Sequence, residues 1–141
     1  PALETAHGVA YTIRRAGELP ADAILVCNLS GRRDWGWAPD YVEGMWRMLQ
    51  QDAVDDFVLA TGIIHTVEDI VELAFRHVGL DWHEYVEHSP NLATKVEPMS
   101  LCGNPAKANR LLGWRAKVTF PEMVTRLVDA ELEKPSPNAR P

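Results

Sequence analysis

Apolar and polar positions follow different periods along the chain, and each period predicts an element. No clear period runs through the first fourteen or so residues. The run AILVCNL (Ala23–Leu29) is rich in branched apolar side chains and predicts a short buried strand. Pro39 suits the first turn of a helix, and Val42, Met45, Trp46 and Leu49 then recur at i, i+3, i+4 and i+7 as one apolar stripe. DDFVLATG, ending at Gly62, predicts a second short buried strand. Val67, Ile70, Val71, Ala74, Phe75 and Val78 hold the helical period until Gly79, with Thr66 as a cap and Asp69 completing an imperfect capping box.

Beyond Leu80 the pattern is irregular, with one short strand expected at Tyr85–Val86. Asn104-Pro105 reads as a cap followed by a first-turn proline, with Ala108, Leu111 and Leu112 facing inward and Gly113 closing that helix. Thr119-Phe120-Pro121-Glu122 is a capping box for a last helix that places Val124, Leu127, Val128 and Leu132 on one side. Helices dominate and strands are few. The expected fold class is α/β, a helix-rich small lobe with two or three short strands and no complete Rossmann domain.

Composition narrows the partners. At 141 residues the chain fits one domain. Its formal charge of −6 argues against nucleic acid or an anionic membrane surface as the main partner. No apolar run reaches the length of a membrane span. Cys27 and Cys102 make no disulfide framework, so a reducing cytoplasm is the simplest setting, with both expected as buried free thiols.

Candidate chemistry concentrates in one place. His65, His77, His83 and His88 lack the i, i+4 spacing with a glutamate that makes a helical zinc site. Asp55-Asp56 and Glu84/Glu87 lie where a solvent face is expected. No two glycines are two or three residues apart, which excludes a glycine-rich dinucleotide turn within these residues. What remains is GRRDWGWAPDYVEGMW, residues 31–46, with two arginines and three tryptophans. Two readings stand for it. Arg33 forks onto a phosphate with two parallel hydrogen bonds, or it pairs with Asp34 or stacks on Trp35 while the tryptophans serve as core.

The segments NLSGRRDWGWAPDYVEGMWRMLQQD, DDFVLATGIIHTVEDIVELAFRHVGLDW and GNPAKANRLLGWRAKVTFPEMV resemble the C-terminal part of the GDP-mannose 4,6-dehydratase family, a group of extended short-chain dehydrogenases/reductases. The resemblance runs over roughly residues 22–132. It implies a sugar-nucleotide-binding lobe that in the complete enzyme accompanies a Rossmann domain holding NADP. There the family oxidises C4 of the mannose transiently, eliminates water across C5–C6 and returns the hydride, giving GDP-4-keto-6-deoxymannose.

By the same resemblance Arg33 contacts the GDP diphosphate, Asn28 lies on the strand end entering that loop, and Glu97 is near the ribose or base. The family's arginine and proline ahead of that glutamate are here Thr94 and Lys95, and Lys95 replaces charge without the fork geometry. Residues 1–21 depart from the family, and residues 133–141 read as a disordered tail. The expected cofactor within this chain is none. The residues four beyond Tyr11, Tyr41 and Tyr85 are Arg15, Met45 and Ser89, so the family's Tyr-x-x-x-Lys is not among them.

The expected ligand is GDP-mannose or GDP, without dehydratase activity for this chain alone. The alternative is a non-catalytic interaction module derived from the lobe. Self-association or a Rossmann-domain partner chain is expected, on the face from Ile24 to Trp37. Trp35, Trp37 and Trp46 are expected to pack the loop and helix against the lobe core.

Overall fold

A computed structural model of the chain describes residues 25–88 and 101–134. The expectations for residues 1–21, for Thr94, Lys95 and Glu97, and for nearly all of the tail lie outside the described residues. The chain divides into two compact units, with the boundaries after Gly31, Thr66, Lys95 and Met123.

In the first unit, strand β1 (Leu25–Cys27) pairs in parallel with β4 (Val86–His88), in the register Leu25 to Val86 and Cys27 to His88. Helix α2 (Val67–His77) lies along the predicted period and buries Ile70, Val71, Ala74 and Phe75. Its first donors do not face water, because Val67 N–H bonds the Gly31 carbonyl at 2.9 Å and Glu68 N–H the Leu29 carbonyl at 3.2 Å. Its end is a Schellman turn. Leu80 N–H returns to the Phe75 carbonyl, Gly79 N–H to that of Arg76, and Gly79 sits at φ +75°, where a side chain is strained. Val124 and Val128, in the later part of helix α4 (Phe120–Leu132), belong to this unit's buried set together with Leu29 and Val86. A His77–Asp129 contact at 2.7 Å joins α2 to α4, and Tyr85, at the end of a short 3-10 turn (Trp82–Glu84), stacks on Phe75.

The second unit holds β2 (Arg32–Arg33), helix α1 (Ala38–Leu49), β3 (His65–Thr66), helix α3 (Ala106–Leu112) and the first turn of α4. Its core is Ala108, Leu112 and Trp114, with Tyr41, Met48, Phe57, Leu59 and Ala116 packed around them. Pro39 stands in the first turn of α1 as predicted, and Asn104 Oδ1 accepts the Ala106 N–H at 3.0 Å to open α3. Gly113, at φ +60°, closes α3, and Arg47 Nη1 donates to the carbonyls of Leu112 and Gly113 at 3.0 and 2.7 Å.

Several expectations fail in this unit. The stripe of α1 does not face the core: Val42, Met45, Trp46 and Leu49 are 56–82% exposed. The helix turns Asp40, Tyr41, Gly44 and Met48 inward instead. Two contacts force that choice. The Asp40 carboxylate is needed by the backbone of residues 117 and 118, and Gly44 lies where a Cβ would come within 3.0 Å of the Leu59 methyls. Trp46 therefore stands outside the Ala108, Leu112 and Trp114 core. DDFVLATG joins no ladder, and its last backbone donors, at Thr61 and Gly62, are taken by the Asp34 carboxylate. Leu111 is half exposed, and Cys102 is exposed rather than buried.

Candidate functional site

Arg33 is carried by a two-residue strand held on both edges. On one side β2 pairs antiparallel with β3, Arg33 opposite His65 and Arg32 opposite Thr66; on the other, Arg33 bridges to Leu101 in parallel. The guanidinium is partly tied as well, Nη1 donating to the Arg32 carbonyl at 2.7 Å.

Asp34 follows directly, and its carboxylate collects four donors. Oδ1 accepts the N–H of Thr61 at 3.0 Å and its hydroxyl at 2.5 Å, and Oδ2 accepts the N–H groups of Gly62 at 2.9 Å and Gly103 at 3.2 Å. Charge-assisted bonds of this kind are roughly twice as strong as neutral ones. Gly103 fits here because it has no side chain. A Cβ would overlap that of Ala60. The expected Arg33–Asp34 pairing thus meets a carboxylate already engaged by backbone.

Beyond Asp34 the chain lines a cleft of about 270 Å³ formed by Trp35, Thr61, Ile63, His65 and residues 116–121. Phe120 is its aromatic centre. His65 stacks on it at 3.7 Å between centroids with the rings 4° from parallel, and Trp35 lies at 5.9 Å. The Trp35 Nε1–H is buried with no hydrogen-bond partner among the described residues. Tyr41 covers Gly36, where a Cβ would strike the phenol. Burial, with the Asp34 and Asp40 carboxylates adding to it, raises the Tyr41 phenol above its ordinary range, so the hydroxyl stays protonated.

Of the sequence-predicted site residues, Arg33 lies in the second unit and Asn28 in the first, while Glu97 is outside the described residues. Asn28 Oδ1 accepts the Ser30 N–H at 3.1 Å and its hydroxyl at 2.7 Å, an Asx turn that shapes the approach to β2. Sequence reasoning missed Asp34 as an organising group, and with it Thr61, His65 and Phe120. The only signal was a carboxylate beside the arginines and a Thr-Gly pair twenty-seven residues later.

No group of three or more His, Cys, Asp or Glu among the described residues is arranged to hold a metal ion, and no described helix is long and apolar enough to cross a membrane. At the described helix starts, α2 gives backbone donors to the Gly31 and Leu29 carbonyls, α3 gives one to Asn104, α4 opens on the Thr119–Glu122 capping box, and α1 carries Pro39 in its first turn. What the arrangement offers is a positioned cation on a stiff strand, suited to binding.

Solved structures share this fold. RMD from Pseudomonas aeruginosa, complexed with NADPH, superposes with a TM-score of 0.77 at 14% identity, over 91% of this chain and 42% of that one. UDP-glucose 4-epimerase from Bifidobacterium longum, in complex with NAD+ and UDP, does so with a TM-score of 0.66 at 18% identity, over 91% of this chain and 37% of that one. The fold is that of a lobe of the extended short-chain dehydrogenases/reductases. Residues 6–127 match the family model described as GDP-mannose 4,6 dehydratase. GDP-mannose 4,6 dehydratase 2 of Arabidopsis thaliana is 45% identical over 110 residues, covering 78% of this chain and 30% of that protein. The human GDP-mannose 4,6 dehydratase is 39% identical over 133 residues, covering 79% of this chain and 35% of its own length. The chain belongs to the GDP-mannose 4,6-dehydratase family and spans about a third of the length of these relatives.

Proposed function

We propose that this chain is the GDP-sugar-binding lobe of a GDP-mannose 4,6-dehydratase-like protein, a lyase that uses NADP in the cytoplasm, and that it binds GDP-mannose or GDP without carrying out the dehydration by itself. The observation that carries the reading is Arg33 held in β2 between His65 and Leu101, next to a carboxylate that fastens the flanking backbone. The ladder fixes where the side chain leaves the backbone, and a guanidinium already tied through Nη1 to the Arg32 carbonyl has less freedom to lose on gripping a diphosphate. By the family resemblance Asn28, on the strand end that enters the Arg33 loop, and Glu97, near the ribose or base, are the further substrate-binding residues. The test is calorimetry of the full 141-residue chain with GDP and GDP-mannose. Arg33→Ala should weaken binding by roughly ten- to a hundredfold, the worth of a charged hydrogen bond. Equal affinity of the variant and the unaltered chain would refute the reading. Incubation with GDP-mannose and NADP+ should yield no 4-keto-6-deoxy product.

A second reading, an interaction module, is favoured by one specific feature. Val42, Met45, Trp46 and Leu49 make a continuous apolar stripe on the outer face of α1, and monomers seldom leave such patches bare. It offers a candidate contact face on α1 besides the one expected at Ile24–Trp37, with self-association or a Rossmann-domain chain as the cover. Light scattering that gives only a 15.8 kDa species, unchanged by Trp46→Arg, would refute self-association through this stripe.

A further inference from the structure

We infer that Asp34 is the positioning residue for Arg33: its carboxylate ties the backbone on either side of β2 to one point and thereby sets where the Arg33 guanidinium meets a diphosphate. The inference rests on the proposed diphosphate reading. Two segments remote in sequence converge on these two oxygens. Thr61 and Gly62 lie just ahead of β3, whose His65 pairs with Arg33 on one edge. Gly103 lies just after Leu101, which bridges Arg33 on the other. Each edge of the arginine's strand is thus anchored two to four residues away to the carboxylate of the next residue along.

Asp34 itself does not reach toward a ligand, because both oxygens are spent on these donors. Its effect on binding therefore passes through Arg33. Asp34→Asn keeps size and shape, and with the amide oxygen placed at Thr61 it turns the NH2 group onto the N–H groups of Gly62 and Gly103, where no bond can form.

The experiment is a double-mutant cycle on the full chain, read as GDP affinity by calorimetry, with Arg33→Lys as the second change because it keeps the charge and loses the fork. Asp34→Asn should weaken GDP binding roughly tenfold in the presence of Arg33 and less than about twofold in the Arg33→Lys background, the non-additivity of residues acting through one network. An equal loss in both backgrounds, or no loss at all while Arg33→Ala abolishes binding, overturns the role of Asp34 and leaves the diphosphate reading standing. A chain that takes up no GDP overturns both. Should near-UV circular dichroism show that Asp34→Asn has lost its packing, Thr61→Val removes the hydroxyl donor to Oδ1, together with that hydroxyl's local bonds to the Ile63 backbone, and leaves the N–H donors of Thr61, Gly62 and Gly103 in place. It should then cost roughly threefold in affinity with Arg33 present and nothing measurable in the Arg33→Lys background.

Discussion

The backbone carbonyl of Asp40 accepts the indole N–H of Trp114 at 2.7 Å, and the same residue's carboxylate accepts the N–H groups of Lys117 and Val118 at 2.7 and 2.9 Å. One residue in the first turn of α1 thereby fastens the whole stretch that follows α3. Trp114 is 1% exposed, and its polar edge is satisfied only through this bond.

Removing the carboxylate exposes the consequence. Asp40→Ala leaves two backbone donors without this partner in a partly buried setting, and each such loss costs about 1–3 kcal/mol. Urea unfolding followed by Trp fluorescence should show a midpoint shift equivalent to about 3 kcal/mol. A variant as stable as the unaltered chain would mean that water replaces the carboxylate at residues 117 and 118.

Gly103→Ala tests the close approach around Asp34. The added methyl meets the Ala60 Cβ, which is fixed to the backbone and cannot rotate away, and it lies 3.3 Å from Val58 Cγ1. Strain of about 1–3 kcal/mol is expected from such overpacking. Gly79→Ala is a useful contrast. It meets nothing within 4 Å, and its cost, about 1 kcal/mol, comes only from φ +75°. Thermal melts of both should rank Gly103→Ala as the less stable.

Glu43 governs an acid-side transition. Its carboxylate is hydrogen-bonded by Lys117 and by Arg47, the latter at 2.6 Å, and these bonds, with the two positive charges, hold its pKa below the ordinary value of 4.5. A depressed folded-state pKa adds stability above the unfolded value and loses it as the pH falls through the folded one. The stability difference between the unaltered chain and Glu43→Gln should be constant above about pH 5 and vanish as the solution is acidified below the usual carboxylate range. Molar salt should shrink it, since the pair is exposed to solvent. A difference that grows toward acid would reverse the sign of the argument.

Thr119→Ala probes the capping box of α4. The Thr119 N–H and hydroxyl both donate to Glu122 Oε2, at 2.9 and 2.8 Å, and Glu122 N–H returns to the Thr119 hydroxyl. The loss should be about 1 kcal/mol. Glu122→Ala in the Thr119→Ala background should add little, because the two caps depend on each other.

Local features of the sequence determined much of this. The period of residues 67–78 and Gly79 predicted α2 and its Schellman end, Pro39 predicted the start of α1, and Thr119 with Glu122 predicted the start of α4. All are signals whose partners lie within five residues, so the chain carries them before it folds. The block around Arg33 likewise placed the chain in its family.

Tertiary structure alone decided which face of α1 turns inward. A 3.6-residue period shows that a stripe exists, but Asp40 and Gly44 outweigh it through residues 59, 114, 117 and 118. It also decided that DDFVLATG joins no sheet and that Arg33 sits in a ladder at all. Asp34 takes donors from positions twenty-seven to sixty-nine residues away, and two-residue strands have no period to read. A carboxylate that accepts backbone N–H groups looks, in one dimension, like any charged surface residue. Its role is set by which segments the fold brings to it.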